Sequence, residues 1–449
     1  MTSRTLGRSA VASLKPGDPI GQLEPQAWMQ DPDTQAVVEA LMVDGAKVRF
    51  VGGCVRDSVL KRPIKDIDIA TPDPPQRVLA LLDDAGIHAI PTGVEHGTVT
   101  AVIGKAHFEI TTLRKDVENF GRRARVEYTD DWLVDASRRD FTMNALSADP
   151  LGRIYDPFDG LADLGAGRVQ FVGNAVQRIE EDALRLLRFF RFHAHYGRRT
   201  DMDSQALAAC RKLAPRLDTL SGERVAGEIL RLLQAEDPAS VLLTMHTTGI
   251  LGHVLPAARN FGRLRILSWL EERGLVRDDV HVDPIRRLAA MLTTDRAGAE
   301  AVGDRLKLSV IQTKRLVAMA EPRVKIHQDL SRQDIRRALH RVGADEFRDL
   351  TLLAWAERRS EDARLSAAET AAWTALLDIA LDWRPVELPI KGRDLLAQGV
   401  PHGPEIGRLL SLVEEWWEEQ DFRPDRDACL DRLRRLPGSA APPDGGVTG

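Results

Sequence analysis

The stretch KVRFVGGCVRDSVLKRPIKDIDIAT, residues 47–71, packs two strands, a helix and a pair of acids into one short span. Lys47–Val51 reads as a strand running into Gly52-Gly53, where residues without side chains let the backbone turn and approach a ligand. Cys54–Lys61 then has helical spacing, so its first turn faces the same space and favours an anion. Arg56 sits on that turn, placed to pair with a triphosphate. A Gly-Gly pair alone is also what many tight turns look like. The chemistry comes from Lys65-Asp66-Ile67-Asp68-Ile69, where a strand puts Asp66 and Asp68 on one face and Ile67 and Ile69 on the other. Two carboxylates about 7 Å apart along a strand repel unless a cation lies between them. Magnesium uses one or two carboxylates plus phosphate oxygens, which suits a nucleotide–metal site. A solvent-facing edge strand with two exposed aspartates is the alternative. Glu109, on the face opposite Phe108 and Ile110 in a neighbouring strand, is a candidate third metal ligand.

Outward from this stretch the chain changes character near residue 165. Before it the pattern is mixed α/β. Pro74–Gly86 reads as a helix opened by prolines and followed by glycine. Gly97–Ile103 and His107–Leu113 alternate around Gly104-Lys105-Ala106, as a hairpin does. After residue 165 amphipathic stretches dominate, at 175–195, 203–213, 222–235, 284–293, 309–321, 333–342, 346–364 and 405–420. No repeat of fixed period runs through them. The expected fold is α+β: a small mixed-sheet head over 25–165, a helical neck over 166–260, and an elongated all-α body and tail over 261–436. Residues 1–24 and 437–449 are rich in Pro, Gly and Ala and are expected to be flexible.

With 449 residues, 43% hydrophobic and 29% charged, the chain reads as a soluble protein of two to four domains. No apolar run approaches the roughly 20 residues that span a bilayer. The N-terminus lacks the apolar core of a signal peptide. Cys54, Cys210 and Cys429 lie far apart with no CxxC spacing, which speaks against disulfides and zinc and fits a reducing cytoplasm. A net charge of −5 is unexpected for a nucleic-acid enzyme. Arginines nevertheless concentrate at 121–125, at 137–140 and between Arg178 and Arg199, and a nucleic-acid surface needs only one basic stripe.

GG-x-VRD followed by a DxD strand resembles the nucleotidyltransferase superfamily typified by DNA polymerase beta. Further segments narrow the resemblance. Thr98–Arg114, TVTAVIGKAHFEITTLR, is similar to the segment after the acidic strand in class II CCA-adding enzymes (tRNA nucleotidyltransferases) and bacterial poly(A) polymerases. Arg138–Ala145, RRDFTMNA, resembles their RRDFTxNA motif. Asp156–Gly160 resembles DPF-x-G, and Glu181–Arg185 resembles EDxxR. The likeness is strong over residues 45–200 and weak beyond about 300. It implies metal ligation by Asp66 and Asp68, nucleotide contacts from Gly53 and Arg56, and sugar and phosphate contacts from Arg139 and Asp140. It also implies base recognition by Asp182 and Arg185, with Arg188 and Arg191 on the same helix in the binding site. Magnesium, CTP, ATP and tRNA come with it. No membrane or obligate protein partner is expected.

The residues themselves support the base-reading role. Arg185, Arg188 and Arg191 fall within about 120° of a helix, with Leu186, Leu187, Phe189 and Phe190 behind them. An ordinary surface helix has the same form, and Glu181 four residues before Arg185 would also suit a simple helical ion pair. Cytosine and adenine each show an amine donor beside a ring-nitrogen acceptor. A carboxylate with a guanidinium complements that edge, whereas uracil and guanine place a carbonyl there. Pro91–Thr98 lacks the basic doublet of poly(A) polymerases, which favours CCA addition. Lys115–Trp132 fills the position of a flexible loop that CC-adding members lack, leaving a full CCA enzyme or an A-adding one. A silent RNA-binding protein on the same fold is a distant alternative. Arg211, Lys212, Arg216 and Arg224 are candidate tRNA contacts. Trp269, Trp355, Trp373, Trp383, Trp416 and Trp417 are expected in the core. His246 and His253 carry no expected role. Leu60-Lys61 stands where the family often has Leu-Gly.

Overall fold

The computed structural model describes residues 17–120, 123–197, 202–362 and 364–437. Most of both terminal segments, the arginine side chains of 121–125, and Arg198 and Arg199 lie outside it. The chain divides into two compact units, up to Pro256 and from Ala257.

The first unit is built on a mixed sheet. Its strands are β1 (Gly21–Gln22), β2 (Arg49–Val51), β3 (Ile67–Thr71), β4 (His88–Gly93), β5 (Thr98–Ile103), β6 (Ala106–Thr112), β9 (Ser147–Ala148) and β10 (Arg153–Tyr155). The order is β1-β10-β9-β2-β3-β6-β5-β4. β3 and β6 run parallel, in a register that sets Asp68 beside Glu109 and Ile69 beside Ile110. The two-residue periodicity then buries Ile69, Phe108 and Ile110 and leaves the acids on the other face. The Pro75–Asp84 helix packs Val78, Leu81 and Leu82 inward.

Several expectations shift in detail. β3 begins at Ile67, so Asp66 precedes the strand instead of lying within it. Gly21 and Gln22, inside the segment read as flexible, pair with β10. β4 escapes a periodicity reading because it is a mostly exposed edge with an irregular register between Ile90 and Gly93. The stretch read as a polar loop forms a ribbon of β7 (Arg114–Phe120) and β8 (Arg123–Tyr128). Lys61 adopts a left-handed φ of 56°, which explains a glycine preference there and costs a side-chain-bearing residue about 1 kcal/mol.

The RRDFTMNA segment is braced by the DPFDG segment. Asp156 accepts the backbone N–H of Phe158, Gly160 and Leu161, and Thr142 donates its hydroxyl to Asp163 at 2.7 Å. Phe141 anchors the segment in the core, with ring centroids 4.8 Å from Phe171 and 5.2 Å from Phe192. The span 175–195 is two helices, Ala175–Glu181 and Leu184–Tyr196. Asp182 is extended between them (φ −151°, ψ 109°) and accepts the Leu184 N–H. An aspartate competes with the helix for backbone donors, and here it starts a new one.

The described part of the second unit is helical. The stretches 333–342 and 346–364 join as Arg332–Glu361, interrupted at Gly343 (φ 79°, ψ 167°). The Pro238–Thr247 helix of the first unit and the Phe261–Trp269, Arg296–Leu306 and Ala367–Asp382 helices of the second lie outside the expected amphipathic stretches, although residues such as Ala299, Val302 and Leu306 are buried at helical spacing. Trp355, Trp373 and Trp417 are buried, the first two stacked at 6.1 Å. Trp269 instead is 40% exposed beneath Arg359.

Gly160 shows how tight the brace is. A Cβ there would lie 2.3 Å from the Thr142 carbonyl oxygen, and a backbone atom cannot step aside. Gly160→Ala is expected to destabilise the protein by ~3 kcal/mol and lower its melting temperature by roughly 5–10 °C. A melting temperature equal to that of the parent protein would show that the segment yields.

Candidate active site

Three acids gather at the start of β3. Asp68 is half-buried, while Asp66 and Glu109 are exposed. Burial, then the neighbouring Glu109 carboxylate, pushes the Asp68 carboxyl up to about 6 against the pull of Arg139. No hydrogen bond or ion pair within the described residues engages the side chains of these three acids. Nearly every other half-buried acid around them is paired, so this crowding suits a cation. The described residues hold no ready-made cluster of three or more His, Cys, Asp or Glu around one point. Magnesium does not require one, because it binds through one or two carboxylates and completes its shell with water and phosphate. An all-carboxylate donor set fits that hard ion.

The Gly-Gly turn lies beside these acids. Gly52 has φ 69° and donates its N–H to the Leu146 carbonyl at 3.0 Å. A Cβ on Gly52 would stand 3.2 Å from Arg139 Nη1, so the turn needs glycine both for its backbone and for the guanidinium beside it. Gly53 opens the short Gly53–Val59 helix. Arg139 is held by Asp135 at 3.3 Å and by the Asn144 carbonyl at 3.4 Å. Arg56 is buried. It grips Asp57 through Nε at 3.0 Å and Nη2 at 2.8 Å, and donates Nη1 to Asn144 Oδ1 at 2.6 Å. The expected phosphate-binding arginine is thus already fixed on one edge, with the other edge against Gly53.

Asp140 departs from its expected place. It is buried, and both its oxygens are engaged. Oδ1 accepts from the Phe141 N–H and Asn144 Nδ2; Oδ2 accepts from Arg188 Nε at 2.6 Å. Burial opposes its charge, but the Arg188 guanidinium and the Asn144 amide outweigh that and hold the carboxyl below the usual range. Asp140 therefore orients Arg188 and Asn144, with no free oxygen for a sugar.

On the Leu184–Tyr196 helix and just before it, each residue expected to contact the base already has a partner. Arg185 pairs with Glu181 at 2.5 Å and donates to the carbonyls of Arg138 and Arg178. The Glu181–Arg185 pair crosses the break at Asp182, so it ties two helices instead of one. Arg191 pairs with Glu228 at 2.6 Å. Asp182 Oδ2 accepts from Arg224 at 2.7 Å, so this tRNA candidate is held against an expected base contact. Arg216 donates to the Glu180 carbonyl at 2.9 Å, while Arg211 and Lys212 are exposed. His253 Nδ1 pairs with Asp218 at 3.2 Å.

Sequence reasoning missed Asp57, Asn144, Tyr196, Arg224 as a base-side group, and Glu228. Arg224 and Glu228 lie four apart on one face of the Gly222–Leu233 helix, a spacing that signals paired roles. No sequence signal marks Tyr196.

Residues 48–170 match the model of the poly A polymerase head domain, and residues 201–261 that of a probable RNA- and SrmB-binding site of polymerase A. The mitochondrial CCA tRNA nucleotidyltransferase 1 of Mus musculus is 30% identical over 407 residues, covering 89% of each chain. The CCA-adding enzyme of Lactococcus lactis is 28% identical over 418 residues, covering 92% of this chain and 98% of its own. Among solved structures, the Bacillus stearothermophilus CCA-adding enzyme in complex with CTP superposes with a TM-score of 0.71 at 25% identity, covering 90% of this chain and 98% of that one. With similarity running through head and helices alike, this chain belongs to the CCA tRNA nucleotidyltransferase family.

Proposed function

We propose that this chain builds the CCA end of tRNA, adding two cytidylates and then an adenylate from CTP and ATP to the 3′ hydroxyl and releasing pyrophosphate each time. The observation that carries product and acceptor is the likeness to such enzymes over 89% of each chain. A poly(A) product would call for a basic doublet where Pro91–Thr98 has none. The reaction belongs in a reducing cytoplasm, in keeping with three buried free thiols; no helix among the described residues is long and apolar enough to cross a membrane.

Asp66, Asp68 and Glu109 would hold magnesium, which when bound acidifies the attacking hydroxyl and neutralises charge on the leaving pyrophosphate. The chain's own groups do the rest. The bare Gly52-Gly53 backbone lets a triphosphate come close, and Arg56 and Arg139 offer it guanidinium edges already oriented by Asp57, Asn144 and Asp135. Pre-set donors lose little freedom on binding, so more of the contact energy aligns the α-phosphate for in-line attack. Asp182 accepts from the exocyclic amine of cytosine or adenine, and Arg185 donates to the adjacent ring nitrogen. Uracil and guanine would leave that pair facing the wrong groups. Glu181 and two backbone carbonyls keep Arg185 in place, so selection needs no nucleic-acid template.

The direct test offers purified protein a tRNA ending at the discriminator base with CTP, ATP or both. Growth by three nucleotides ending in A is expected. Long A tracts on unrelated RNA would contradict the proposal, and addition only to tRNA already ending in CC would identify an A-adding enzyme. Asp68→Asn should lower addition of both nucleotides by about a thousandfold or more. It should also raise the melting temperature of metal-free protein by roughly 2–4 °C, since it relieves like-charge crowding, and remove any stabilisation by magnesium. Persistent magnesium-dependent activity in this variant would refute the assignment. Arg185→Ala should admit UTP or GTP, narrowing the preference for CTP and ATP about tenfold or more; unchanged rejection would remove Arg185 from base choice.

A further inference from the structure

The last residue of the Leu184–Tyr196 helix belongs to no motif, yet it meets the head at Arg56 and Asp57 of the GG-x-VRD segment. Tyr196 donates its hydroxyl to Asp57 Oδ1 at 3.0 Å. The Arg56 guanidinium lies over its ring, 4.2 Å from the centroid. Arg62 lies 4.6 Å from the same centroid and donates Nη2 to the His195 carbonyl at 2.9 Å. Two cations therefore lie within reach of the ring, whose face attracts them, and its hydroxyl holds the acid that grips one of them.

What Tyr196 governs follows from the donors left on Arg56. A guanidinium has five N–H groups. Nε and one hydrogen of Nη2 go to Asp57, and one hydrogen of Nη1 goes to Asn144. One hydrogen remains on each terminal nitrogen, and on the Nη2 side a Cβ at Gly53 would stand only 3.7 Å away. Asp57 and Asn144 fix Arg56 in its own plane, and Tyr196 supports the face of that plane. The base-reading end of the same helix is tied separately, by Arg185 to the Arg138 carbonyl and by Arg188 to Asp140. Loss of Tyr196 would thus loosen Arg56 and leave the base reader in place.

We infer that Tyr196 is a positioning residue for the triphosphate, acting by holding Arg56 in register with the Gly52-Gly53 turn. The inference rests on the nucleotidyl-transfer proposal and makes a separable prediction, because the triphosphate is common to both substrates and the base is not. Tyr196→Leu removes the ring, and KM for CTP and for ATP should rise by one common factor of about tenfold. The KM for tRNA and the rejection of UTP and GTP should stay near wild-type levels, and any fall in kcat should be the same for CTP and ATP. Inorganic tripolyphosphate, which has no base, should weaken as a competitive inhibitor by the same factor. Tyr196→Phe keeps the ring and loses only the hydroxyl, so both KM values should rise together by about threefold. Should Tyr196→Leu fail to fold, as judged by its melting transition, Tyr196→Phe carries the test alone. Unchanged KM values, a rise for one nucleotide only, or an unchanged tripolyphosphate inhibition constant would overturn the inference. Failure of the wild-type protein to extend tRNA would overturn the underlying proposal instead.

Discussion

The buried pairing of Asp140 with Arg188 is the constraint on which the first unit depends. A carboxylate without water must have its lone pairs met, and breaking such a pair leaves a charge that the interior cannot solvate. Asp140 meets this demand with one backbone N–H, the Asn144 amide and the Arg188 guanidinium. Those groups come from the RRDFTMNA segment and from the Leu184–Tyr196 helix. Asn144 carries the linkage on to Arg56, and Glu228 contacts both Arg188 and Arg191. One connected set of charged and polar side chains therefore fixes Arg56 beside the Gly-Gly turn and Arg188 and Arg191 on their helix relative to each other. Phe141, Phe171, Phe189 and Phe192 form its apolar counterpart.

Against that connected set, the three acids at β3 and β6 stand out. Arginines nearby are bound to acids, yet among the described residues Asp66, Asp68 and Glu109 have no such partner, and the β3–β6 register sets Asp68 beside Glu109. A sheet gains nothing from like charges on neighbouring strands. The fold tolerates the repulsion where a nucleotidyltransferase calls for a cation, while the neighbouring Arg56 and Arg139 are paired with Asp57 and Asp135.

The sequence revealed those parts whose physics is local. The β5–β6 hairpin, the Gly-Gly turn and the Pro75–Asp84 helix each follow from periodicity and turn residues within a few positions. β9, β10 and the edge strand β4 did not, because two- and three-residue strands and an exposed edge have too little pattern to read. Asp68 and Glu109 were legible as acids on faces opposite buried residues. The place of Asp140 was not: an RRD motif does not disclose that its aspartate turns inward to Arg188, a partner far along the chain. Arg224 and Tyr196 failed to register for the same reason, since their partners Asp182 and Asp57 are brought near by packing between helices and head. Local rules make the acids and the Gly-Gly turn legible, while the partners that orient the arginines around them depend on tertiary structure.

This division also explains a net charge of −5 in a family that handles RNA. Many arginines are not free charges but halves of buried or half-buried pairs. In the second unit Arg286 and Arg287 are buried against Glu271, with Arg286 and Arg315 also on Asp349. Each such arginine brings an acid with it, so the total moves little however many are added. An arginine held by an acid still keeps donors in its fork: Arg56 retains two and is aimed by the pairing. The acid lowers the net charge and at the same time orients the cation. Net charge therefore understates the capacity of such a protein for phosphate, and the better measure is how many guanidinium edges are both oriented and left open.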